Sequence, residues 1–296
     1  MNSSQVLPHF SYLRASSFEE YQQLTRVNQE LYFLMQDVEK TILYNHQDQD
    51  QFKLNGYCYV CDAFSDFKIV RRRSKPNIDG LKIPNWREGL SCVSCGLNNR
   101  KRGALHIFDR TCSPNQKSKI YLTEQISPLY KYVASKFPLV VGSEYMGEKI
   151  PYGSMTNNGI RNESLTCLSF EKDEFDYILS LDVFEHIPDY IQAFKECLRV
   201  LKPKGKLVLS VPFRLNSPSN IIRAKVDDRG DIIHLAKAQY HGDPMGKAGV
   251  LCYQDFGWQM LDQMRDIGFS SVEAIIYRSR FYGYLGNNHT IFIGQK

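Results

Sequence analysis

The stretch from Phe175 to Phe213, FDYILSLDVFEHIPDYIQAFKECLRVLKPKGKLVLSVPF, admits very few folds. Phe175 to Leu181 is a short apolar run led in by the charged EKDE, which suits a strand buried on both faces. Asp182, Glu185 and His186 follow at once, and Pro188 suits a first helical turn because its missing N–H would have had no partner there. Ile191, Phe194, Leu198 and Leu201 then recur at helical spacing until Pro203 and Gly205 stop the helix. Lys206 to Pro212 reads as a second buried strand. Two apolar strands joined by an amphipathic helix imply a right-handed crossover and a parallel sheet, so this is a βαβ unit of an α/β domain. Ligands of such sheets sit at the carboxyl ends of the strands. That places Asp182, Glu185, His186 and residues 212–214 at a candidate site.

The arrangement FDxxxSxDVxEHIPD, then a helix, then LRVLKPxGxLVLSVPF, resembles the second half of class I S-adenosylmethionine-dependent methyltransferases of the type 11 kind. With flanking strands the resemblance runs roughly from Lys119 to Gln295. It implies a Rossmann-like α/β fold with a mostly parallel sheet and an antiparallel last strand. Upstream, KIYLTEQ reads as a strand, Ser127 as a helix cap with Pro128 in the first turn, and LVVGSEY as the next strand, closed by Glu144. The resemblance gives Glu144, with Tyr145 beside it, to the ribose hydroxyls of the cofactor. The glycine-rich turn expected after the first strand is replaced by TEQISP, so the amino-acid end of the cofactor falls to Glu124, Gln125 and the helix start, without the close backbone approach that glycines permit. Residues 145–162 hold three glycines and no helical periodicity, as if one helix of the family had been trimmed. The segment 160–170 corresponds to the adenine contacts, with Glu163, Ser164 and Leu165 as candidates. Leu181, Asp182, Val183 and His186 complete the cofactor side.

Beyond Phe213 the α/β rhythm is interrupted by an insertion, residues 214–250, in which NIIRAKV and DIIHL flank DDRG as a hairpin. It leaves the end of a central strand and should act as a lid over the site. Asp255 is expected to cap a helix, FGWQMLDQMRDI, ended by Gly268, before two final strands. A sulfonium methyl group is already activated, so the protein must align an acceptor and, for a hydroxyl, remove its proton. His186 and, in YHGDP, Tyr240, His241 and Asp243 are the catalytic candidates, a histidine being the economical base near neutral pH.

The 296 residues suit two domains, 1–115 and 116–296. Residues 17–43 carry apolar positions at three- and four-residue steps, an amphipathic helix that would pack on the following module or join two copies of the chain. Cys58 and Cys61, then Cys92 and Cys95, form two CxxC knuckles that suit one tetrahedral zinc ion. With all four positions filled by protein, that ion would be structural and the module zinc-ribbon-like. A four-cysteine module ahead of a methyltransferase domain also looks like the layout of some sugar methyltransferases. RRRSK from Arg71 reads as a solvated loop, and residues 97–112 as a short helix and linker with Cys112 structural.

The expected function is methyl transfer from S-adenosylmethionine to a hydroxyl of a small molecule or sugar. The altered glycine turn keeps two others open: a different transfer or cyclisation using the same cofactor, and a non-catalytic binding protein. No apolar run reaches membrane-span length and the start lacks signal-peptide character, so the expected place is the cytoplasm with reduced thiols. A net charge of +5 gives no reason to expect nucleic acid as a partner.

Overall fold

A computed structural model describes residues 10–71, 74, 80–242 and 249–296. In chain order the elements are β1 (Tyr12–Ala15), α1 (Phe18–Val27), α2 (Gln29–Asn45), β2 (Gln51–Cys58), β3 (Ala63–Val70), α3 (Trp86–Gly89), β4 (Leu90–Cys92) and α4 (Asn99–Cys112). There follow β5 (Ile120–Leu122), α5 (Pro128–Lys136), β6 (Val140–Gly142), β7 (Phe175–Leu181), a single 3-10 turn (Phe184–His186), α6 (Tyr190–Val200) and β8 (Leu201–Ser210). The insertion contributes β9 (Ile221–Ile222), β10 (Ala224–Val226), β11 (Ile232–His234), β12 (Tyr240–His241) and β13 (Val250–Leu251), and the chain closes with β14 (Gln254–Asp255), α7 (Gln259–Ile267), β15 (Ser271–Ser279) and β16 (Tyr284–Gln295).

The main sheet has the order β1-β15-β16-β8-β7-β5-β6. β6, β5, β7 and β8 are mutually parallel, and β16 joins β8 antiparallel through Phe292 to Gln295 against Leu209 to Lys206. This is the mixed, mostly parallel Rossmann-like sheet. Its central strands are apolar on both faces because helices cover them: Ile178 and Leu207 to Leu209 are fully buried, as are Ala193, Phe194 and Cys197 on the inner face of α6. Each large side chain so buried contributes about 1.5–3 kcal/mol relative to exposure. Gly205 sits inside β8, where its pairing with β7 shifts register between Leu201 and Lys206, and a Cβ there would lie 2.8 Å from the Lys202 carbonyl and 3.1 Å from those of Phe175 and Asp176. Backbone, not side chain, blocks that position, so glycine is needed for close approach.

The chain divides into two compact units, one made of residues up to 14, 22–111 and 275–290, the other of 15–21, 112–274 and 291–296. In the first, β2, β3 and β4 form a three-stranded antiparallel sheet. Residues 99–112, expected to be half linker, are a continuous core helix: Arg102 is fully buried, donates to the carbonyls of Tyr282 and Gly283 at 2.8 and 3.2 Å, and lies 4.1 Å over the Phe67 ring. His106 is stacked between Phe10 and Tyr59.

Three local expectations are corrected. The helix read over residues 17–43 is two helices, broken at Asn28, whose side chain donates to the Leu24 carbonyl at 2.8 Å and so competes with the helical ladder. Much of its apolar stripe, Val27, Leu31 and Leu34, faces solvent. Arg71 is not a solvated loop residue, being 1% exposed, with its guanidinium donating to the carbonyls of His46, Gln49 and Lys82. It thus supplies donors where α2 has run out of them. Arg72, Arg73 and Lys75 of that stretch lie outside the described residues. Asp255 does not cap α7, whose N-cap position is Trp258; its carboxylate instead holds Arg214 at 2.7 Å and Arg223 at 3.0 Å.

Candidate active site

The ends of β5, β6 and β7 lie side by side because these strands are parallel and in register, Ile120 to Leu122 pairing Val140 to Gly142 on one side and Tyr177 to Leu179 on the other. Glu144 follows β6, and its Oε1 accepts from the backbone N–H groups of Gln125 at 2.7 Å and Ile126 at 3.0 Å. The carboxylate thereby ties down the glycine-free turn after β5. Among the described residues no donor reaches its second oxygen, and the residue is 8% exposed. Gln125 fixes the same turn from its own side chain, donating to the Gly159 carbonyl and accepting from the Arg161 N–H, both at 2.8 Å. Glu124 lies within this turn, and Tyr145, next to Glu144, is exposed.

Glu163 is buried, with its carboxylate taking Arg161 Nε at 2.7 Å and both the hydroxyl and N–H of Ser169 at 2.5 and 3.0 Å. Ser164 and Leu165 beside it are buried as well. Asp182, the first residue past β7, adopts φ of 57°, and its Oδ1 accepts from the Ser210 hydroxyl at 2.8 Å. This left-handed turn, unusual for a non-glycine residue, swings Val183 and the 3-10 turn away from the strand axis.

The insertion closes on that 3-10 turn. The Tyr253 N–H donates to the Glu185 carbonyl at 2.8 Å, and Gln254 Nε2 donates to the carbonyls of Phe184 and Ile187 at 2.6 and 3.1 Å. β12 pairs β13 with Tyr240 opposite Leu251 and His241 opposite Val250, so alternation turns Tyr240 to solvent and His241 inward. His186 Nδ1 donates to the Leu251 carbonyl at 2.8 Å, and the rings of His186 and His241 meet edge to face at 5.0 Å. His234 is exposed on the hairpin of β10 and β11, and Asp243 lies outside the described residues.

Two further residues complete the cluster: Glu185, which the sequence placed at the strand end without a role, and Cys252, which it did not assign to the site. Glu185 is fully buried, with Oε1 at 3.4 Å from His241 Nδ1 and 3.7 Å from His186 Nε2. Cys252 is buried, with Sγ at 4.0 Å from His186 Nδ1. Burial raises the Glu185 carboxyl above the usual range, with His241 pulling the other way. The Cys252 thiol and then Glu185 lift His241 to about 10. Burial pushes the Cys252 thiol up, but the two imidazoles outweigh it and leave it below its ordinary value. The result is a compact set of proton-exchanging groups between the end of β7 and the insertion. A signal for Cys252 was present in the sequence only as a thiol eleven residues past His241, with no spacing rule to link them.

In the other unit, Cys58 and Cys61 flank the β2–β3 turn and Cys92 ends β4, while Gly96, at φ of 72°, closes the second knuckle with its N–H on the Cys92 carbonyl at 2.9 Å. Cys58 and Cys95 lie 3.9 Å apart sulfur to sulfur, Cys61 and Cys92 3.8 Å. A tetrahedron of thiolates around zinc has edges of roughly 3.8 Å.

Residues 129–209 match a family described as "Methyltransferase domain". Among curated proteins, the demethylmenaquinone methyltransferase of Listeria welshimeri is 24% identical over 191 residues, 60% of this chain and 75% of that protein. That of Shouchella clausii is 33% identical over 61 residues, 21% of this chain and 26% of its own length. Among solved structures, an S-adenosylmethionine-dependent methyltransferase from Mesorhizobium loti is 15% identical with a TM-score of 0.39, covering 65% of this chain and 98% of that one. The matched region spans α5 to β8, the parallel core that carries Glu144, Asp182 and His186. Residues 129–209 match a methyltransferase domain, and that match supports an enzyme. Glu144 leaves one carboxylate oxygen without a donor among the described residues, and the tied-down turn after β5 has no glycine cradle. Among the described residues no helix is long and apolar enough to cross a membrane.

Proposed function

We propose that the chain transfers a methyl group to a hydroxyl of a small molecule or sugar held between the end of β7 and the insertion at 214–250. S-adenosylmethionine supplies the activated methyl. Glu144 Oε2 accepts from the ribose hydroxyls, Ser164 and Leu165 border the adenine, and Asp182 and Val183 border the side facing the acceptor. Glu124 and Gln125 hold the amino-acid end from the rigid turn after β5. His186, backed by Glu185, takes the acceptor's proton, while His241, lifted to about 10 and so charged at neutral pH, steadies the oxyanion that forms.

The observation that carries this reading is the convergence of two imidazoles and a buried carboxylate beside Asp182. A hydroxyl must lose a proton during transfer, and such a set is where one goes. The curated relatives are named demethylmenaquinone methyltransferases, and the hydroxyl acceptor rests on the histidine and carboxylate cluster alone. The glycine-free turn favours a second reading, another use of the same cofactor. In the other unit, Cys58, Cys61, Cys92 and Cys95 hold one structural zinc, a reading supported by their sulfur spacing.

Calorimetric titration with S-adenosylmethionine, followed by turnover of His186→Ala and His241→Ala on a panel of hydroxyl acceptors, tests the assignment. Loss of turnover by roughly a hundredfold with cofactor affinity intact is expected for a proton acceptor. Affinity falling in proportion to turnover would count against it, and tight binding with no transfer to any acceptor would favour the second reading.

A further inference from the structure

Glu185 presents an unsolved problem of charge. It is fully buried, and among the described residues neither carboxylate oxygen has a hydrogen-bond partner. Carboxylates taken from water without donors are strongly disfavoured unless a cation compensates them. Its nearest polar neighbours are the imidazoles of His186 and His241, and beyond these stands Cys252. One ligand atom from each of His186, His241 and Cys252 lies within 4.8 Å of the other two. They come from three separate pieces of chain, the 3-10 turn, β12 and the residue after β13, that only the closed insertion brings together.

We propose that His186, His241 and Cys252 bind one divalent transition metal, zinc by donor type, with Glu185 behind the two rings as their outer partner. Two imidazoles and a thiolate are borderline-soft donors that zinc favours over magnesium or calcium. A carboxylate facing the far nitrogens of ligating histidines is the usual second layer of such a centre, orienting the rings and balancing the ion. His186 shows this arrangement: Nε2 faces Glu185, and Nδ1, which meets the Leu251 carbonyl at 2.8 Å, faces Cys252 and would exchange that carbonyl for the ion on losing its proton. Three protein ligands leave a fourth position, the mark of a site that takes a ligand. This differs from the four-cysteine cluster, where the chain fills every position. The ligand class at that position is an ionisable hydroxyl or thiol of the acceptor, whose proton would pass to solvent as the ion holds the anion, the imidazoles then being ligands and not bases; this part rests on the methyl-transfer reading, whereas metal binding does not.

The test is metal content per chain, measured on full-length protein loaded with zinc and dialysed, for wild type, Cys92→Ser, His241→Ala and Cys252→Ser. Wild type should hold one equivalent more than His241→Ala and Cys252→Ser, and Cys92→Ser should retain the equivalent those two lose. With Cys92→Ser as background, cobalt in place of zinc should give a thiolate charge-transfer absorption that disappears on adding Cys252→Ser. Should Cys92→Ser fold poorly, the difference between wild type and His241→Ala carries the test. Equal zinc in wild type, His241→Ala and Cys252→Ser overturns the site. S-adenosylmethionine binding is read by calorimetry on the same preparations: binding without the extra equivalent sinks the metal and leaves methyl transfer standing, and the reverse result sinks methyl transfer and leaves the metal.

Discussion

Glu144 makes two separable contributions, and replacing it in two ways should pull them apart. Its Oε1 holds the N–H groups of Gln125 and Ile126, while Oε2, in the proposed reading, accepts from the cofactor's ribose. In Glu144→Gln the amide oxygen can keep both backbone N–H groups, but the group facing the ribose becomes a neutral donor. Hydrogen bonds to charged groups contribute roughly 1.5–3 kcal/mol, so the dissociation constant for S-adenosylmethionine should rise roughly 10- to 150-fold. Thermal stability without cofactor should hardly change. In Glu144→Ala both contributions go. Because the turn borders solvent, water can rescue the two amides in part, so a loss on the order of 2 kcal/mol, or roughly 4–8 °C in unfolding midpoint, is expected. Calorimetric titration and thermal unfolding of the two variants beside wild type read both quantities. If Glu144→Gln binds the cofactor as wild type does while Glu144→Ala loses only stability, the residue is a turn brace and the ribose assignment is wrong.

Other outcomes follow from the same structure. Cys92→Ser should release zinc from the four-cysteine cluster, lowering metal content by one equivalent; content unaffected by it would rule the cluster out as a zinc site. Arg71→Leu leaves the Gln49 and Lys82 carbonyls without their donor and should cost roughly 3 kcal/mol in urea unfolding; a loss below about 0.5 kcal/mol, the range of ordinary surface changes, would show that water replaces the guanidinium. Burial holds His106 down to about 3 and His289 down to about 4, so both are neutral in the folded chain at neutral pH. Below the unfolded histidine pKa of about 6.5 the unfolded chain binds more protons than the folded one, so this contribution is complete above that pH and is lost as pH falls, by up to about 2.7 kcal/mol per pH unit for the pair. His289→Gln should flatten the acid limb of stability against pH between 6.5 and 4, and an unchanged slope would show that carboxylates alone set it.

The βαβ core was legible because its information is local. Strand 175–181 and the α6 pattern each depend on neighbours within a few residues, burial on both faces leaving a continuous apolar run; the expected Pro203–Gly205 stop was misplaced, since the helix ends at Val200 and both residues lie within β8. The cysteine knuckles were legible for a similar reason: two close pairs of a single residue type carry their geometry in their spacing. Arg71 was misread because charge alone predicts solvent, whereas its place was decided by carbonyls of His46 and Gln49, more than twenty residues away, left over at the end of a helix. Asp255 was read as a cap from its position before a helical pattern, yet two arginines reaching it from residues 214 and 223 outbid the backbone.

The sequence by itself determined the parallel core, the strand ends that face a ligand, and two of the histidines there, since alternation and helical period act over short distances. Only the tertiary structure decided that His186 and His241 share one pocket, that Cys252 and the buried Glu185 join them, and that Glu144 spends half its carboxylate on the turn after β5. Each of these depends on how an insertion of some forty residues folds back on the sheet, and that closure is set by long-range backbone hydrogen bonds such as Tyr253 to Glu185, which no local pattern records.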